Sequence, residues 1–295
     1  MGLGDVVAAA AFRKLYDQAP WRSAVTRLDP IFSIRAQAHR AATWAYTRLR
    51  TGRSPREGLR ILMYHAVGTP IEGDVRSLYN ITYGLFERHM RCLAERNADQ
   101  LVHLDSRESK GDCLRIALSF DDGYRDNLSV AAPLLVELGI PFTVFVCTGA
   151  VAGRKAGLLA PEELRELAGL PGARIGSHSI NHVRLTEVDD RRLDEELAGS
   201  KAYLEDLLGT GVDLLSYPHG AVDRRVRDAA EEAGYCIGAT SRFDINQLER
   251  DPLLLCRTDI WADDDIAVFE QKLRGDWDWN RWRTADPGRW PRRLR

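Results

Sequence analysis

Close cysteine pairs are missing from this chain. Its five cysteines, Cys92, Cys113, Cys147, Cys236 and Cys256, are odd in number and far apart. That excludes a zinc knuckle, which needs Cys pairs a few residues apart. It reads instead as core thiols in a reducing compartment, not a disulfide framework. Long apolar runs are also absent, since no stretch approaches the ~20 residues that cross a bilayer. The early run from Val6 to Phe12 has seven residues and no basic segment before it, so it reads poorly as a secretion signal. Net charge is nearly absent as well, at -2 over 295 residues. It is unevenly spread: residues 1–55 hold nine Lys/Arg against three Asp, a net +6, which leaves -8 for the rest. An acidic body argues against nucleic acid as the ligand. With 44% hydrophobic and 28% charged residues, the composition is that of a globular chain.

What is present falls into three parts. Residues 1–55 form a basic, Ala- and Arg-rich N-terminal extension, split by Pro20 and Pro30. Ile31 to Arg50 reads as a helix with Ile34, Ala38, Ala41, Ala45 and Leu49 on one side. It could lie on an anionic membrane surface or pack on the main domain. Thr51–Gly58 (TGRSPREG) is a linker by composition. From residue 58 to 274 strand and helix patterns alternate. Strands are expected at Leu59–His65, Leu101–Leu104, Arg115–Phe120, Phe142–Cys147, Ala173–Ser177, Asp213–Tyr217, Cys236–Thr240 and Leu254–Ile260. Helices are expected at Phe86–Arg96, Val130–Leu138, Glu162–Leu167, Glu187–Leu208 and Asp223–Ala233, with Thr186 and Asp189 capping the fourth and Gly209 ending it. Seven or eight strands in this rhythm imply an α/β fold, a parallel sheet best fitted by a closed or nearly closed β/α barrel, with an open doubly wound sheet second. Residues 275–295 form a tail holding Trp277, Trp279, Trp282 and Trp290 with six Arg. Such a tail could stack on sugar rings, sit at a membrane interface, or cover one end of the barrel.

Three polar clusters follow predicted strands, on the rim where such folds build their sites. In Ser119-Phe120-Asp121-Asp122-Gly123, two adjacent carboxylates are costly unless a cation or proton compensates them. In His178-Ser179-Ile180-Asn181-His182, two histidines four apart on one helical turn would share a metal. In Tyr217-Pro218-His219-Gly220, a bracketed turn aims Tyr217, His219 and a backbone N–H into one space. Each alone could be an ordinary turn or loop. One Asp with two His makes an open three-ligand site that leaves a position for water and substrate.

SFDDGY, HSINH and YPHG, in that order, resemble the motifs of the polysaccharide deacetylases, the NodB-like carbohydrate esterase family 4. The resemblance runs from Leu59 to Leu273 and takes in Ile61-Leu62-Met63-Tyr64-His65 and Arg257-Thr258-Asp259-Ile260. It implies a distorted (β/α) barrel and a hydrolase that removes N-acetyl groups from a carbohydrate with a divalent metal, zinc foremost. By the same resemblance Asp121 is the general base, and Asp122, His178 and His182 are the metal ligands. The backbone N–H of His219, after Pro218, and Tyr217 belong to the substrate and oxyanion side.

The proton donor departs from the family pattern. Many relatives supply a late histidine, yet none of the seven here follows His219. His65, at the end of the first strand, is the substitute expected on the rim, with His219 the other choice. The Arg that orients the base in relatives has no match before Tyr217, and Arg257 on the last strand could pair with Asp121 instead. A different amide hydrolase on this scaffold and a saccharide-binding protein without turnover remain as alternatives. Cytoplasmic localisation is expected, with residues 1–55 as a means of peripheral contact at the inner membrane face.

Overall fold

In a computed structural model, residues 42–43, 45–48, 57–72, 74, 77–106, 113–284 and 286 are described. Most of the N-terminal extension, the linker up to residue 56, and Trp290 lie outside them. Of the helix expected over 31–50, the described residues 42–43 and 45–48 are helical.

The central sheet has seven strands, all parallel. In chain order its members are β1 (Gly58–Tyr64), β4 (Leu114–Phe120), β5 (Phe142–Val146), β6 (Ala173–Ser177), β7 (Leu214–Ser216), β8 (Ile237–Ala239) and β9 (Thr258–Asp259). Between β1 and β4, two short strands, β2 (Ala66–Val67) and β3 (Asn80–Ile81), pair separately. The sheet order is β8-β7-β6-β5-β4-β1-β9. β1 and β4 run in register from Gly58 opposite Leu114 to Tyr64 opposite Phe120. Strands covered on both faces read as apolar runs, and LRILM, RIAL and FTVFV do so.

The two ends of the sheet meet through one segment. Leu255 bridges to Ala239 on β8, its N–H donating to the Gly238 carbonyl at 2.8 Å. Three residues later Thr258 pairs with Leu62 of β1, and the Ile260 N–H donates to the Met63 carbonyl at 3.0 Å. The strand expected over 254–260 is therefore shorter, because the segment crosses between sheet edges. The strand expected at Leu101–Leu104 is reduced to one bridge, Leu101 to Ile116.

Alternation sorts the side chains. Leu59, Ile61, Ala117, Phe145, Leu214, Ile237, Ala239 and Leu255 fill the interior. Leu62, Tyr64, Ile116, Leu118, Phe120, Val144 and Val146 face outward under the helices. A Cβ on Gly176 of β6 would stand 2.5 Å from the Phe145 ring, so the interior fill at this layer needs glycine. Outside, α1 (Tyr83–Asn97) buries Phe86 edge-on against Tyr64, with ring centroids 5.5 Å apart. His89 of α1 is a core residue: its Nδ1 meets the Tyr64 hydroxyl at 3.2 Å and its Nε2 the Asp264 carbonyl at 2.8 Å. Burial pushes its imidazole down to about 4.

The helix expected at 187–208 starts three residues later. Asp189 caps it by accepting from the Arg192 N–H at 2.8 Å, so Thr186 is not the cap. It runs as α4 (Asp190–Asp194), a wide π turn (Glu195–Gly199) and α5 (Ser200–Leu208). Between α1 and α4 lie α2 (Ala132–Glu137) and α3 (Pro161–Ala168). Gly209 ends α5 in the left-handed conformation, φ 69°.

Beyond residue 274 the described residues stay packed on the barrel. Trp277 and Trp279 are buried, so they are not the sugar-stacking surface that the tail composition allowed. Asp278 grips Arg60 of β1 with two bonds of 2.9 Å, both groups enclosed. The Trp279 indole N–H donates to Thr43 Oγ1 at 3.0 Å, and the Tyr46 and Trp282 rings meet edge-on at 5.5 Å. The helical residues 42–43 and 45–48 thus pack on the C-terminal segment. Asp278→Ala would leave the Arg60 guanidinium buried without its carboxylate, which costs about 3–5 kcal/mol. Urea unfolding should show that loss, and an unchanged midpoint would refute the pairing.

Candidate active site

The alternation that fills the barrel also aims its polar groups. On β4 the inward series Ala117, Ser119 continues to Asp121, just past the strand end. On β7 the inward series Leu214 continues to Ser216, and on β6 the series through Gly176 continues to His178. These side chains converge at the carboxyl ends of the strands. Arg257, following Leu255 by two, enters the same space from the closing segment.

Asp121 is 3% exposed and almost fully bonded. The Arg257 guanidinium donates to both its oxygens, Nη1 to Oδ1 at 2.7 Å and Nη2 to Oδ2 at 2.8 Å. Ser216 Oγ donates to Oδ2 at 3.0 Å and accepts from Arg257 Nη2 at 2.8 Å. Arg257 Nε donates to the Thr240 carbonyl at 2.8 Å, which fixes the fork. Burial alone would raise the Asp121 carboxyl, but Arg257 and then His178 hold it well below the usual carboxylate range.

Asp122 turns the other way because its backbone is left-handed, φ 72°. Its Oδ1 lies 3.5 Å from His178 Nε2 and 3.4 Å from His182 Nε2. The donor atoms of this trio all lie within 4.8 Å of one another. Ligands about 2.0–2.2 Å from a tetrahedral ion stand roughly 3.3–3.6 Å apart, so the spacing fits a zinc-sized cation. His178 Nδ1 meets the Ser216 carbonyl at 2.8 Å. A carbonyl only accepts, so Nδ1 carries the proton and Nε2 keeps its lone pair for the ion. Burial and then His178 push His182 down to about 4, which keeps that imidazole neutral.

The histidine pair does not share a helical turn. Residues 178–182 form a loop, with Ser179 (φ 62°) and His182 (φ 54°) left-handed. The loop reverses and brings the rings to 4.9 Å between centroids. Tyr217 is a second correction. It follows inward-facing Ser216 by one residue, so it points outward, and its hydroxyl donates to the Leu253 carbonyl at 2.9 Å in a separate apolar cluster. Its side chain is not at the site. Pro218 is buried and opens the turn Pro218–Gly220, where a Cβ on Gly220 would fall 1.9 Å from Ser241 Oγ. His219 (φ 59°) is exposed at the mouth, its ring 4.4 Å from that of His182.

His65 continues the inward series of β1. Its ring lies 4.6 Å from that of Tyr79, and its buried Nδ1 has no hydrogen-bond partner among the described residues. A proton on its ring would favour the ionised form of both Asp121 and Asp259. Asp259 likewise has a buried Oδ1 without a partner among the described residues. Burial lifts its carboxyl to about 6, against the pull of His65, Lys272 and Arg257.

With this geometry in view, the chain can be compared with known proteins. Residues 108–238 match the sequence pattern of the family described as polysaccharide deacetylase. Over those residues the chain carries that family's sequence pattern. YxkH of Bacillus subtilis, a polysaccharide deacetylase by provisional name, is 29% identical over 188 residues, which are 62% of this chain and 64% of that protein. The match thus spans less than two thirds of that relative's length. Among solved structures, a polysaccharide deacetylase from Bacillus cereus is 25% identical at a TM-score of 0.64, covering 74% of this chain and 69% of its own. The Streptococcus pyogenes deacetylase PplD, solved with acetate, has a TM-score of 0.64 at 23% identity over 74% of this chain and 98% of its own. That likeness speaks for the fold, the curled parallel sheet of the polysaccharide deacetylases.

Ser216 and Asp259 stand beside these groups, and the sequence assigned neither a role. Ser216 was not legible, because Leu214 and Leu215 before it are both apolar and leave open which face of the strand is inward. Arg257→Met would strand the Asp121 carboxylate in the interior, a loss of about 3–5 kcal/mol at pH 7. Arg257 depresses the Asp121 pKa, so its stabilisation is present above about pH 4 and lost as pH falls. The gap between wild type and variant in denaturant unfolding should narrow below pH 4, and a gap independent of pH would refute the pair.

Proposed function

We propose that the protein hydrolyses the N-acetyl group of an amino sugar in a polysaccharide or glycoconjugate precursor. The observation that carries this reading is the Asp122–His178–His182 trio placed beside an Arg257-held Asp121. Zinc is the ion proposed. When bound, it polarises the scissile carbonyl and lowers the pKa of the attacking water.

The remaining steps fall to side chains. Asp121 takes the proton of the attacking water as the new C–O bond forms. Its depressed pKa keeps it ionised at neutral pH. Arg257 and Ser216 hold both carboxylate oxygens and so orient the base. The turn Pro218–Gly220 is assigned the oxyanion through the backbone N–H of His219. His65 is assigned the acid: it protonates the nitrogen as the C–N bond breaks, releasing acetate and a free amine. Asp259 adds negative charge near that imidazole.

Removing the metal with a chelator should abolish acetate release from N-acetylglucosamine oligomers, and added zinc should restore it. Activity that survives complete chelation would overturn the metal-dependent reading. His65→Ala should lower turnover ~10²–10⁴-fold, the range of a general acid. Zinc content should stay at the wild-type level, while unchanged turnover would move the acid to His219.

A further inference from the structure

Glu196 is a fully buried carboxylate outside the reacting groups. An ionised group in that position needs every lone pair engaged. Its Oε2 accepts from two successive backbone N–H groups, Ile180 at 2.8 Å and Asn181 at 2.9 Å. Its Oε1 accepts from Asn181 Nδ2 at 2.8 Å and pairs with Arg192 Nη2 at 2.8 Å. Two adjacent amides that converge on one oxygen form an anion-binding nest, filled here from within the chain.

The place of that nest is what matters. Ile180 and Asn181 lie between the two histidines, and left-handed Ser179 and His182 flank them. Isolated L residues avoid that conformation, so something must hold the turn. Glu196 supplies the central bonds. Ser200, four residues on along the same helix, supports the turn beside them, its Oγ donating to the Ser179 carbonyl at 3.2 Å. Both residues come from the π turn and its C-terminal edge. Such turns re-aim a helix face, and they recur at functional sites.

We infer that Glu196 is a positioning residue of the metal centre. It holds the loop in the shape that brings His178 and His182 onto Asp122, and so it sets the affinity for the ion without touching the ion or the substrate. This inference rests on the metal reading of the Asp122–His178–His182 trio.

The test is zinc binding by the full chain, measured in competition with a chromophoric chelator. Glu196→Gln replaces one acceptor oxygen by an NH2 group that faces donors, so zinc affinity should fall ~10–100-fold, the range for groups that support metal ligands. The absorption bands of the cobalt(II)-substituted variant should shift, which a loss of global stability alone would not produce. Asn181→Ala, at an exposed position, removes one of the bonds and should weaken zinc binding by a smaller factor. Wild-type zinc affinity and cobalt spectrum in Glu196→Gln would overturn the inference. If that variant does not fold, unchanged affinity in Asn181→Ala would overturn it instead. His182→Ala separates the two readings. Zinc uptake by wild type that is lost in His182→Ala upholds the metal site. A wild-type protein that takes up no zinc would overturn the metal reading and this inference with it.

Discussion

The ion pair between Asp121 and Arg257 is the contact on which the rest of the site depends. One partner stands at the end of β4 and the other on the segment that closes the sheet, 136 positions further along the chain. Neither charge could stay in the interior alone. Together, with Ser216 between them, they join three parts of the barrel through one hydrogen-bonded cluster. The Ser216 carbonyl extends that cluster to His178, so the orientation of the base and of a metal ligand share a support. A low-dielectric interior makes such connected bonds stiff, and stiffness is what a reacting geometry requires.

Around this pair, the backbone stores strain where the chemistry is. Asp122, Ser179, His182 and His219 all adopt left-handed conformations, and all four lie at the mouth of the barrel. Adjacent Asp121 and Asp122 would otherwise project to opposite faces of a strand. A left-handed residue directly after β4 lets both serve one site, one held by Arg257 and the other turned to the histidines. The bonds from Glu196, Ser200 and the 148–149 amides offset that strain in the histidine loop.

Far from the site, the C-terminal segment does structural work. Arg60 is enclosed on the outer face of β1 and depends on Asp278 for its charge balance. Lys272 is held in the same way by Asp264, with its ammonium 3.9 Å from the centre of the Trp261 ring. Trp277 lies 5.1 Å from the same ammonium and Trp279, two residues on, is buried, so neither forms a binding surface.

The amino-acid sequence by itself determined the strand and helix rhythm, the parallel barrel, and the three rim clusters. Apolar runs and turn residues are local signals, and adjacent motif residues must share one neighbourhood. It also allowed the Arg257–Asp121 pair, since both fall near strand ends. Local pattern could not decide where the tyrosine of YPHG points, because that depends on strand parity set by pairing with β6 and β8. Nor could it show that the histidine pair meets through a loop, since the bonds that hold that loop come from a helix 15 residues further on. Composition also left the tail open between a binding surface and a cover for the barrel, because burial of Trp277 and Trp279 is a property of what packs over them. Which groups touch across a closed sheet is decided only when the sheet closes, because side-chain direction then depends on neighbours distant in the chain.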